Sequence, residues 1–107
     1  MQSDEFKKFT DRIDKGLKKQ FNHLDDEKRA LARTVKLVEE VGELCEEILL
    51  HNNLQRRKKL DKRDKGNISG EFTDVLITTL LLAKLMKVDI DKALLVKMKE
   101  IDKRHES

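Results

Sequence analysis

Residues 71–83 read EFTDVLITTLLLA. After Asp74 nearly every position is apolar, so a helix built from this stretch has no polar face and has to be buried on all sides. Three other short helices in a 107-residue chain do not suffice to surround it. The stretch therefore predicts an all-α fold: a four-helix-type bundle completed by oligomerisation, as a homodimer or homotetramer.

Working outward, Ser69 offers an N-cap for this helix, which should run over about residues 70–87. Asp89 offers the cap of another over about 90–105, and the short connection predicts an antiparallel hairpin of the two. Upstream, residues 3–22 place Phe6, Phe9, Ile13, Leu17 and Phe21 on one helical stripe. Asp25 or Asp26 caps a second helix reaching about Leu50. Its apolar face carries Leu31, Val35, Val38, Val41, Cys45 and Ile48, widened by Leu37, Leu44 and Leu49. The four phenylalanines, Phe72 included, read as core, with the border of a nucleotide base as the other reading open to any of them. Gly42 in the middle of that helix costs about 1 kcal/mol relative to alanine, which a close approach by another helix would explain. Between the second and third helices, residues 51–68 lose the apolar period and read as a basic loop. The whole chain, 1–107, reads as one domain.

Charged residues make up 42% of the chain, yet 24 Lys or Arg stand against 21 Asp or Glu, so no strong global field results. The basic excess is local: Arg56 to Lys65 holds seven Lys or Arg and two Asp. That run supports an alternative reading, a non-catalytic helical module binding nucleic acid or a regulatory partner. It contains one leucine and no aromatic residue, so nothing in it stacks on bases, which argues against nucleic acid. Lying between the two acidic motifs described next, it is also placed to act as a lid. The N-terminus, MQSDE, lacks the order of a signal peptide. The longest uncharged apolar-rich run, Val75 to Ala83, is too short to span a bilayer. Cys45 is the only cysteine and reads as a small core hydrophobe in a reducing compartment, so a cytoplasmic protein without a membrane partner is expected.

The chemistry lies in two acidic pairs. Glu40 and Glu43 share one side of the second helix, and Glu71 and Asp74 share one side of the third. Each pair neighbours positions that should face the core, where carboxylates need cations or protons to persist. Oxygen-only ligands suit Mg2+, with Mn2+ as a substitute. A di-iron carboxylate site would need Glu-x-x-His motifs. His23, His51 and His105 do not follow any glutamate at that spacing. Glu46 and Glu47 read as ordinary solvated acids.

Glu39-Glu40-Val41-Gly42-Glu43, followed by Glu71-Phe72-Thr73-Asp74, resembles the Glu-Glu-x-x-Glu … Glu-x-x-Asp signature of MazG-like pyrophosphohydrolases, within the all-α NTP pyrophosphatase superfamily. The resemblance covers about residues 31–104. It implies hydrolysis of a nucleoside triphosphate to monophosphate and pyrophosphate. It also implies Glu40, Glu43, Glu71 and Asp74 as ligands of Mg2+, with Glu39 as a nearby helper and Glu40 or Glu43 as the proton acceptor. Phosphate-binding cations on the last helix would be Lys97 and Arg104, joined by Lys36 one turn before Glu40. Where the family commonly carries an asparagine on that last helix, this chain has Ile101.

Overall fold

The computed structural model describes residues 2–52 and 67–106. Among them are four helices and no strand: α1 (Asp4–Gln20), α2 (Asp26–His51), α3 (Asn67–Leu85) and α4 (Ile90–Glu106). The caps follow local chemistry. Ser3 Oγ accepts from the Phe6 amide, Asp25 Oδ1 from Lys28 and Asp89 Oδ1 from Lys92, each satisfying a first-turn donor. Helix α3 differs from expectation, because it is already helical at Asn67 and Ser69 lies inside it rather than capping it. The expected basic loop is correspondingly trimmed at both ends, since His51 closes α2 and Asn67 and Ile68 belong to α3. The run Arg56 to Lys65 lies outside the described residues, as do the lid and nucleic-acid readings built on it.

Helix α3 is the packing centre. It lies along α2 and, more briefly, against α1. Its Leu80, Leu81 and Leu85 join Leu50 of α2 as the buried apolar core. A polar node ties the three helices together. Arg33 of α2 donates from Nη1 to Asp14 Oδ1 of α1 at 2.8 Å and to the Leu81 carbonyl of α3 at 2.7 Å. Asp14 and Arg33 are both buried, and Lys18 adds a second cation to Asp14 at 3.2 Å.

The end of α3 is a left-handed turn. Lys87 has φ 59°, its amide donates to the Lys84 carbonyl, and the Val88 amide donates to the Ala83 carbonyl. This is the paired bonding of a Schellman stop, here without the usual glycine. The chain does turn at the expected place, but the expected antiparallel hairpin does not form. Helix α4 packs against no other helix beyond isolated contacts and has no buried residue. Its first turn is fastened to α1 instead, where Asp91 accepts from Gln2 Nε2 at 3.2 Å and pairs with Lys7 at 3.4 Å. Leu94, Leu95, Val96, Met98 and Ile101 of α4 remain exposed. The radius of gyration, 17.2 Å, exceeds the about 13 Å of a compact domain of this length.

Helix α2 corrects the sequence reading most sharply. Most of the face expected to be core is the outer one: Leu31, Val35, Val38, Val41, Cys45 and Leu49 are exposed, while Leu37, Leu44 and Ile48 are half-buried. Facing inward are Arg33, Glu40, Glu47 and Leu50. Periodicity finds an apolar face but does not say whether the chain itself covers it. The phenylalanines divide likewise, with Phe6 and Phe9 half-buried while Phe21 and Phe72 are exposed. No helix among the described residues is long and apolar enough to cross a membrane.

Candidate metal centre

The inward face of α2 carries Glu40 and, one turn on, Glu43. Across from them Glu71 sits in the second turn of α3. Carboxylate oxygens of these three residues lie within 4.8 Å of one another. They run from buried Glu40 through half-buried Glu71 to exposed Glu43, so the cluster opens to solvent on one side. Helix spacing alone accounts for the Glu40–Glu43 pair, and the lengthwise packing of α3 on α2 brings in Glu71.

Three like charges so close repel, and the surroundings only partly compensate. Lys36 Nζ pairs with Glu40 Oε1 at 3.1 Å and, more loosely, with Glu39 at 3.8 Å. The hydrogen bond to Glu40 holds the Lys36 ammonium above its ordinary pKa. Asn67 donates to Glu71 Oε1 at 3.4 Å. Glu40 Oε2 and Glu71 Oε2 are buried without a hydrogen-bond partner. Two orphaned carboxylate oxygens inside a three-acid cluster fit a hard divalent cation, which takes oxygen ligands and offsets their repulsion.

Lost hydration raises the Glu71 carboxyl above its ordinary value, and the charges of Glu43, Asp74, Glu40 and Glu47 push it further. The folded state therefore holds this proton more tightly than the unfolded chain does. The stabilisation linked to it is complete below the unfolded pKa and is lost as pH rises through the raised folded one. With chelator present, the melting temperature of wild type relative to Glu71→Gln is expected to fall as pH climbs through that window. Added Mg2+ should reverse the trend at the upper end. A difference that stays flat with pH would remove Glu71 from the cluster's electrostatics.

The fold brings together Glu40, Glu43, Glu71 and Lys36. Asp74 is exposed and lies outside the three-acid cluster, although close enough for its charge to act on Glu71. Glu39 is exposed and, among the described residues, is linked to the site through Lys36. Lys97 pairs with Glu100 at 3.2 Å on α4, and neither it nor Arg104 is carried to the cluster, because α4 does not pack on α2. Two residues escaped the sequence reading. Glu47, read as solvated, is buried and acts electrostatically on Glu71. Its place seven residues after Glu40, two turns along the same face, was the available signal. Asn67 precedes Glu71 by one turn, a signal hidden by starting α3 too late.

Beside Lys36, a cleft of about 520 Å³ opens between the end of α1 and the facing sides of α2 and α3. Leu17, Phe21, Leu24 and Leu81 give it an apolar lining, and Arg29, Arg33 and Lys36 line it along α2.

An all-helical domain whose two packed helices share clustered carboxylates offers the oxygen ligands that a hard divalent cation takes. The family model of the MazG nucleotide pyrophosphohydrolase domain matches residues 29–107, and the chain belongs to that family. Comparison with curated proteins and with solved structures gave no match.

Proposed function

We propose that the chain hydrolyses nucleoside triphosphates between the α and β phosphates, releasing monophosphate and pyrophosphate, with Mg2+ or Mn2+ held by Glu40, Glu43, Glu71 and Asp74. The observation that carries this is the convergence of Glu40, Glu43 and Glu71 with two unpartnered oxygens, in a chain of the MazG family. When bound, the cation supplies charge neutralisation for the phosphates and acidifies a water molecule. Asp74, one turn after Glu71, supplies the fourth carboxylate by side-chain rotation. Glu40 or Glu43 accepts the proton of the water that adds to phosphorus as the α–β bridging bond breaks and pyrophosphate leaves. Glu39 assists by sharing Lys36. Lys36, which pairs with Glu40 and Glu39, would be the cation on α2 to contact the substrate phosphates.

The cleft beside Lys36 supports a nucleotide over a bare polyphosphate. Its volume falls within the range of small-molecule sites, and its apolar walls with a row of cations suit a nucleoside bearing phosphates. Lys97 and Arg104 serve as phosphate contacts once α4 is docked. Its uncovered apolar residues support docking within a homodimer or homotetramer. The single cysteine is in keeping with a reducing, cytoplasmic setting.

The test is pyrophosphate release from a panel of canonical and modified nucleoside triphosphates with Mg2+ or Mn2+. Monophosphate and pyrophosphate in equal amounts are expected. Orthophosphate in place of pyrophosphate, or no release from folded protein with any nucleotide, would overturn the proposal.

A further inference from the structure

Lys36 and Asn67 stand in the same relation to the two inner acids of the cluster. Each precedes its glutamate by four residues, about one helical turn, Lys36 before Glu40 on α2 and Asn67 before Glu71 on α3. Lys36 Nζ pairs with Glu40 Oε1 at 3.1 Å, and Asn67 Nδ2 donates to Glu71 Oε1 across a longer 3.4 Å. At both glutamates the other oxygen, Oε2, is buried and has no hydrogen-bond partner among the described residues. One oxygen of each inner carboxylate is therefore held by a donor of its own helix, and one is left over. The exposed acids differ. The residues at that spacing before Glu43 and Asp74 are Glu39 and Gly70, neither with a side-chain donor.

The number of oxygens a carboxylate can give distinguishes the two hard divalent cations. Mg2+ demands a near-octahedral shell at about 2.0–2.1 Å, which single carboxylate oxygens and waters fill well. Ca2+ takes roughly six to eight oxygens at about 2.3–2.6 Å and often draws both from one carboxylate. Glu40, Glu43 and Glu71 bring oxygens within 4.8 Å of one another, in a cluster open to water on the Glu43 side. A glutamate held through Oε1 has no second oxygen to add, which disfavours Ca2+ and costs Mg2+ nothing. The charge of Lys36 cannot make this distinction, because it repels two ions of equal charge alike.

From this we infer that Lys36, supported by Asn67, determines the ion selectivity of the metal centre: by holding Glu40 Oε1 it restricts that carboxylate to one oxygen and selects Mg2+ against Ca2+. The inference rests on the metal part of the proposed function and is independent of the nucleotide. An ammonium carries more donors than Glu40 uses, so the same side chain can still meet a phosphate.

Calorimetric titration of chelator-stripped protein with Mg2+ alone and with Ca2+ alone tests it, and the quantity read is the ratio of the two affinities. Lys36→Met keeps an unbranched side chain of good helix propensity at an exposed position and removes the donor, so its helical circular dichroism should be that of wild type. It should raise Ca2+ affinity relative to Mg2+ by about tenfold, the lower end of what partners of metal ligands contribute. Lys36→Arg restores a donor and should return the ratio to that of wild type. Asn67→Ala should shift it the same way but less, because its bond is longer. Loss of charge by itself moves both affinities together. A wild-type ratio in Lys36→Met would therefore overturn the inference and leave Lys36 a charge partner only, and so would a Lys36→Arg ratio equal to that of Lys36→Met. Folded wild type that binds neither ion would overturn the metal centre itself, and the inference with it.

Discussion

Glu40→Gln is expected to lower pyrophosphate release at saturating nucleotide by at least about a hundredfold and to abolish Mg2+-dependent thermal stabilisation. Its Oε2 is one of the two buried oxygens in the cluster with no partner, and Oε1 is held by Lys36. Glutamine keeps the shape but loses the charge and one of the two acceptor oxygens, so the site can no longer complete a carboxylate set. Asp74→Asn provides the contrast. Asp74 is exposed and outside the three-acid cluster, so its loss should weaken Mg2+ affinity and activity less than loss of Glu40 does. Titrating Mg2+ by calorimetry alongside the activity assay checks both. An Asp74→Asn variant as impaired as Glu40→Gln would mean that the four acids act as equals. Retained activity in Glu40→Gln would remove the metal centre from the chemistry.

The second large effect concerns stability. Arg33→Ala leaves Asp14 buried with only Lys18 as a cationic partner, and it leaves the Leu81 carbonyl without its side-chain donor. Breaking a buried ion pair from one side costs about 3–5 kcal/mol, a large part of the total stability of a small domain. For a chain of this size that is roughly 13–22 °C in melting temperature. Replacing both partners, Asp14→Leu with Arg33→Met, removes the stranded charge and should cost less than Arg33→Ala alone. Thermal melts of the single and double variants measure this. Near-additive losses would show that the node acts through shape rather than charge.

The sequence made the helices legible because their caps and periods are local properties. Asp89 caps the helix its position suggested, and so does Asp25, one of two neighbouring candidates, while Ser3, expected only as the start of the first helix, turns out to be its cap. The acidic pairs were legible for the same reason, since a spacing of three fixes their common side without knowledge of the fold. What was not legible depends on contacts between distant segments. Whether the face bearing Leu31 and Val38 or the face bearing Arg33 and Glu40 turned inward was decided by α1 and α3, and a hydrophobic period is silent on that choice. Glu47 looked like Glu46 because exposure is a tertiary quantity. The outward course of α4 follows from the Schellman turn at Lys87 and the anchoring of Asp91 to Gln2 and Lys7, and neither pairing leaves a pattern along the chain.

The Asp14–Arg33 bond also bears on where this domain begins. The family match opens at Arg29, which leaves all of α1 outside it. Arg33, four residues inside that boundary, nevertheless takes its carboxylate from α1. A fragment cut at the homology boundary would keep the Glu40, Glu43 and Glu71 cluster and lose the buried counter-ion of Arg33. Shared ancestry thus marks a shorter stretch than the one the buried contacts join, and α1 is held to the rest by this ion pair together with its packing on α3.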